Sequence, residues 1–134
     1  MEKLTLIKNE KYSLFCYPKQ RIVRHVLNTF VFGKDFQTLM TTGADAFIKY
    51  NCNKWLSDDR SNSALRKDDI EWGQTHWEGR ILEKGWKYWA LVMPEKVVGQ
   101  MNMRPIIDRY ANMGVEVKVF SNARQGFDWL CSKP

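Results

Sequence analysis

The run Lys87-Tyr88-Trp89-Ala90-Leu91-Val92-Met93-Pro94 decides the fold. It is short, nearly continuously apolar and closed by a proline that cannot extend a central strand. A strand of that kind is buried on both faces, which happens where helices cover a largely parallel sheet. Upstream of it, Asp68, Asp69 and Glu71 suit the positive end of a helix dipole, and Gly85 suits the far end. One helix is therefore expected between them, with Ile70, Trp77 and Ile81 on one side. Downstream, Asn102 can cap a helix whose first turn holds Pro105. Ile106, Tyr110 and Met113 follow on one face, and Gly114 ends it. Val115-Glu116-Val117-Lys118-Val119-Phe120 reads as a last strand, and Asn122 with Gln125 as a capping box for a final helix through Phe127 and Leu130.

Further towards the N-terminus, Lys54-Trp55-Leu56-Ser57 is a short strand. Phe36, Leu39, Met40, Gly43, Ala44, Phe47 and Ile48 form one apolar stripe at helical spacing, ended by Asn51 or Asn53. Before Gly33 the period is two: Leu4 and Leu6, then Tyr12, Leu14 and Cys16, then Ile22 and Val26. Turn residues at Asn9-Glu10 and Pro18-Lys19-Gln20 divide these into a three-stranded antiparallel meander. The expected order is β-β-β-α-β-α-β-α-β-α. That is a single α/β domain over residues 1–134, a mixed sheet of four to six strands with helices packed against it.

Composition narrows the function. The 134 residues include 6 Trp, 7 Phe and 5 Tyr, so a real core is available. No apolar run is long enough for a membrane span, and the first residues open into a strand-like pattern without the sections of a signal peptide; a cytoplasmic location is expected. Cys16, Cys52 and Cys131 are odd in number and widely spaced, with no Cys-x-x-Cys and no histidine pairing, so neither a disulfide framework nor a metal site is expected. Net charge is +6. Residues 1–34 carry seven Lys/Arg against two Asp/Glu, a local +5. Lys3, Lys8, Lys11, Lys19 and Arg21 are spaced singly, which suits soluble outer strands better than nucleic-acid binding.

No phosphate-binding glycine loop, nucleophile elbow or His-Glu-x-x-His motif is present, so no cofactor and no catalytic residue are assigned. The polar segment Asp58-Asp59-Arg60-Ser61-Asn62-Ser63 follows a central strand, where open α/β sheets place ligands. Asp58, Arg60 and Ser61 are candidate binding residues there, with Arg60 expected to be held by Asp58 or a neighbouring acid. Trp72 and Trp77 stand five apart on the following helix and point to different faces: one is expected in the core and the other to line a groove with His76 near it, so Trp72, His76 and Trp77 are the further candidate binding residues. Gly73 and Gly79 read as close-packing positions against Trp55 or Trp89, and Met93, Met101, Met103 and Met113 as core filling.

Lys54-Trp55-Leu56-x-Asp58-x-Arg60, Asp69-x-x-Trp72-x-x-x-x-Trp77, Gly85, Ala90-Leu91-Val92-x-Pro94, Gly99, Gly114-Val115-Glu116-Val117-x-x-Phe120 and Trp129-Leu130 together resemble small bacterial proteins of the STAS-like, anti-sigma-factor-antagonist type, grouped with CRAL-TRIO lipid-exchange domains. The resemblance covers residues 12–132. It implies a mixed sheet packed against helices and a regulatory or ligand-binding role. Antagonist-type domains carry a phosphorylatable serine after a central strand; Ser61 is the nearest counterpart, but no glycine follows and Arg60 intervenes. The expected function is a non-catalytic domain acting through a protein partner or a homodimer. The alternatives are a binder of a small apolar or lipid-like ligand, and a small hydrolase or isomerase using Asp58, Arg60 and His76.

Overall fold

A computed structural model of the chain describes residues Met1–Pro134. A six-stranded mixed sheet runs in sequential order: β1 (Leu4–Lys8), β2 (Tyr12–Tyr17), β3 (Ile22–Leu27), β4 (Lys54–Asp58), β5 (Tyr88–Val92) and β6 (Glu116–Phe120). The first three pair antiparallel and β3 to β6 pair parallel. Five helices complete it: α1 (Gly33–Lys49), α2 (Lys67–His76), α3 (Glu78–Glu83), α4 (Val97–Asn112) and α5 (Ala123–Cys131). No helix is long and apolar enough to cross a membrane.

The two sheet faces carry different cores, as a period of two requires. One face presents Leu14, Cys16, Val23, Leu27, Trp55, Trp89 and Leu91 to α1, α3 and α4 in a cluster of 23 buried residues. The other presents Ile22, Leu56 and Ala90 to Leu130 of α5 in a cluster of five. The α5 backbone comes close because Gly126 has no Cβ; one there would lie 3.1 Å from Leu56 Cδ1 and 3.3 Å from Ala90 Cβ. Beyond α5, the outer face of the meander is covered by long basic side chains: the Lys3 ammonium sits 4.7 Å from the Phe15 ring centre and the Arg24 guanidinium 5.8 Å.

The helix ends follow local chemistry. Asn51 takes a positive φ of 52° just past α1, and Gly85 and Gly114 take 93° and 97° just past α3 and α4. Asn122 Oδ1 accepts the Gln125 N–H at 2.9 Å and caps α5.

Two expectations about the helices are corrected. The single helix between β4 and β5 is two, broken at Trp77, whose φ of −115° ends α2 and starts α3. The break turns the Trp77 ring into the core, edge-on to Trp55 at 5.2 Å. Glycines 73 and 79 and Thr75 are weak helix formers and let the break happen there. Helix α4 also begins at Val97, a turn before Asn102, so Pro105 lies inside it. Asn102 does not cap; it accepts the Leu65 N–H at 2.8 Å and donates to the Leu65 carbonyl at 3.1 Å, pinning the β4–α2 loop to α4.

The tight glycines are also different ones. A Cβ on Gly43 would run into Trp55, and one on Gly99 into the Ser63 carbonyl and Pro94. At Gly73 and Gly79 nothing lies within 4 Å. Gly79→Ala is therefore expected to stabilise the chain by about 0.5–1 kcal/mol through the unfolded state, measured as a raised urea midpoint at unchanged slope. Of the four methionines read as core filling, Met103 is buried, Met93 is half-buried, and Met101 and Met113 are exposed.

Candidate functional site

Strand alternation places the site. Trp55 points to the helix side of the sheet, so Ser57 and then Asp59 follow it on that side, while Asp58 goes with Leu56 to the α5 side. In β3 the same rule puts His25 between Val23 and Leu27. His25 and Ser57 are direct neighbours across the parallel β3–β4 pair. Serine, histidine and aspartate thus meet at the carboxyl ends of two central strands, all buried.

The combination has the composition of an acyl-transfer triad but not its wiring. His25 Nε2 lies 2.7 Å from Asp59 Oδ1. The other ring nitrogen, Nδ1, accepts the Trp55 indole N–H at 3.0 Å. An indole can only donate, so Nδ1 holds a lone pair and the ring proton sits on Nε2, donated to Asp59. The nitrogen that would have to take a proton from Ser57 is already occupied. Ser57 Oγ in turn accepts the Trp89 indole N–H at 2.9 Å. A general base needs a free lone pair aimed at the reacting proton, and this histidine has none.

Beside this chain of bonds the two layers leave a cavity of about 70 Å³. Its walls include Phe36, Trp55, Trp77, Trp86, Trp89 and Tyr110, with ring centres of Trp77, Trp86, Trp89 and Tyr110 spaced 5.0–6.3 Å apart. Its polar lining includes His25, Ser57, Asp59, Asp69 and Arg109. Asp69, on the first turn of α2, accepts the Gly33 N–H with both oxygens at 3.1 Å and so ties α2 to the start of α1. Trp77 Nε1 is buried without a hydrogen-bond partner.

Arg109 is committed. Its Nε and Nη2 donate to the two Glu78 oxygens at 2.8 and 2.9 Å, a bidentate clamp between α4 and α3. Those bonds hold the Glu78 carboxyl below its usual range against the opposing effect of burial. Burial first, and then the neighbouring Glu78 charge, push the Tyr110 phenol up, so it stays protonated. Because the folded Glu78 binds its proton less readily than the unfolded one, the clamp's stabilisation is complete above the ordinary glutamate value of about 4.3 and is lost as pH falls through the lower folded value. Glu78→Gln should remove that part of the acid destabilisation: melting curves of variant and parent should converge as pH drops below about 4.

The six residues marked from sequence do not form one site. Trp77 lines the cavity. Trp72 packs edge-on against Phe36 at 6.1 Å on one side and lies 5.8 Å from the exposed His76 ring on the other. Asp58 and Arg60 do meet, but only at 4.0 Å, with the Arg60 side chain half exposed. Ser61 is exposed in the same loop. Asp58 and His76 lie on opposite sides of the sheet, so a catalytic group of Asp58, Arg60 and His76 is not assembled. Counting by two from Trp55 in the sequence already reaches Ser57 and Asp59; His25 needs the strand pairing as well.

Compared with protein-family models, curated proteins and solved structures, the chain matches none.

Proposed function

We propose that this is a non-catalytic domain that binds a small ligand between its sheet and its helices. The observation that carries the reading is the aromatic-lined cavity between the sheet and the helices. Protein cores leave few voids larger than a water molecule, whose share of liquid is about 30 Å³. Here a cavity of about 70 Å³ lies among six aromatic rings, with buried carboxylates at its wall. Ligand sites combine such apolar walls with a few placed polar groups. The volume suits a ligand or head group of a few heavy atoms and is well below the roughly 300 Å³ at which drug-sized pockets begin. The locked His25 supports binding without turnover. A STAS-like relationship is part of the same proposal, supported by the mixed sheet with helices against it and by the aromatic and glycine positions that suggested it.

The test follows the indole N–H resonances of the six tryptophans during titration with isopropylammonium chloride, 2-propanol and sodium acetate. At least one compound is expected to shift Trp55, Trp77, Trp86 and Trp89 saturably and leave Trp129, outside the cavity, in place. Gly73→Phe, which adds a ring at a cavity-lining position whose Cβ meets no other atom within 4 Å, should abolish the shifts in a folded protein. Unmoved cavity indoles with all three compounds would overturn the reading.

A second reading has its own support. Phe30, Phe32, Val97, Val98 and Met101 are exposed on either side of the β4–α2 loop, the two phenylalanines stacked at 4.9 Å. Apolar side chains gathered at one sheet end favour a protein partner or a second copy of the chain. Sedimentation of the parent and of Val98→Asp decides it: a concentration-dependent dimer lost in the variant supports a homodimer, and a monomer at all concentrations removes it.

A further inference from the structure

We propose that the cavity takes the head of an organic ammonium ion, with Asp59 and Asp69 as its counter-charges and the surrounding tryptophans as its walls. The inference rests on the reading of the cavity as a ligand site and adds the ligand's charge and class.

The charge balance of the lining points that way. Two carboxylates, Asp59 and Asp69, reach the cavity wall and neither has a cationic partner within the protein. His25 is the only side chain bonded to Asp59, and it donates as a neutral ring. Asp59 Oδ2 receives no hydrogen bond from any protein group, although the residue is only 4% exposed. Asp69, 2% exposed, is bonded by a single backbone N–H. The one cation at the wall, Arg109, is spent on Glu78. The two lining carboxylates are therefore left without a cation, because the one lining guanidinium is paired with Glu78 outside the lining. A buried carboxylate without a counter-charge is costly, and a cationic occupant removes that cost.

The walls choose among cations. A hard metal ion needs about six oxygen ligands or retained waters. Two carboxylates and indole faces do not supply them, and no three acidic, histidine or cysteine groups converge anywhere in the fold. An alkylammonium ion is different. Its N–H groups satisfy carboxylate oxygens, and its carbon atoms pass onto aromatic faces, where the ring quadrupole attracts the charge. An anion meets the carboxylates unfavourably, and a neutral apolar molecule leaves both uncompensated. The excess positive charge of the chain lies largely in residues 1–34 and is screened within about 8 Å at physiological salt.

The test compares isopropylammonium with its neutral counterpart 2-propanol and with acetate, against sodium chloride at equal ionic strength. Isopropylammonium is expected to shift the four cavity indoles at concentrations at least tenfold below those needed for 2-propanol, with acetate inactive. Asp59→Asn and Asp69→Asn keep an oxygen for His25 and for the Gly33 N–H, and each should weaken isopropylammonium at least tenfold while leaving 2-propanol unchanged. Asp58→Asn, on the far face of the sheet, should bind like the parent. If 2-propanol or acetate shifts the same indoles as strongly, the ligand site stands and the ammonium assignment falls. If both Asn variants fold and bind isopropylammonium like the parent, the assignment also falls. If no compound shifts them, the ligand site falls with it.

Discussion

Trp55→Ala should lower unfolding stability by about 3–5 kcal/mol, a large part of the roughly 5–15 kcal/mol that a domain possesses. Trp55 is among the largest fully buried side chains and stands at the centre of the larger core. Its ring is edge-on to Trp77 at 5.2 Å and tilted against Phe47 at 6.2 Å. Truncation removes that apolar area, opens a void next to an existing cavity, and leaves His25 Nδ1 buried without its donor. Trp55→Phe should cost clearly less, because it keeps most of the ring and loses chiefly the hydrogen bond. Urea unfolding followed by far-UV circular dichroism separates the two. Equal losses for Ala and Phe would mean that the indole N–H, and not packing, dominates this position.

Gly43→Ala carries the second largest effect, a loss of about 1–3 kcal/mol from overpacking. The new methyl group would press on Trp55 Cη2 and lie 3.1 Å from Cζ2. The indole cannot swing aside, since Phe47, Trp77 and the bond to His25 hold it on three sides. In the double variant Gly43→Ala/Trp55→Phe, the smaller ring should relieve much of the clash. The two changes should therefore be non-additive by at least about 0.5 kcal/mol, as residues in direct contact are. Additive losses would show that α1 moves as a body instead of pressing on the ring.

The fold was legible in the sequence wherever one pattern outweighed its rivals. The alternation of Tyr12, Leu14 and Cys16, the α1 stripe and the run at Trp89 to Val92 each match one element of the sheet or its cover. The errors fell where a side chain was used for something its local pattern does not reveal. Asn102 looks like a cap, but its amide is taken by Leu65, far away in the chain. Trp77 falls on the stripe of a continuous helix, yet the core needs its ring at an angle that a continuous helix does not give. Gly73 and Gly79 drew attention because glycine is costly in a helix, while Gly43 hid inside a well-formed stripe; only the position of the Trp55 ring distinguishes them.

The site was legible in part. The loop after β4 is visible in the sequence as a polar segment, but Asp58, the acid singled out there, lies on the α5 side of the sheet, whereas its neighbour Asp59 lines the cavity. The pleat rule starting from Trp55 selects Asp59. His25 carries no local signal, because the partners that give it a role, Trp55 in the next strand and Asp59 just after it, lie about 30 residues on. Arg109 and Glu78 are equally distant in sequence and meet only through the packing of α3 on α4.

In the proposed reading the buried Ser57, His25 and Asp59 form a wall for a ligand and not a catalytic relay. The most direct measurement is the ¹⁵N spectrum of the His25 ring in the folded protein. A neutral ring with its proton on Nε2 and an unprotonated Nδ1 bonded to the Trp55 indole is the predicted result. A proton on Nδ1, or an Nδ1 lone pair released from Trp55, would give this histidine the free base that catalysis requires and would contradict the claim.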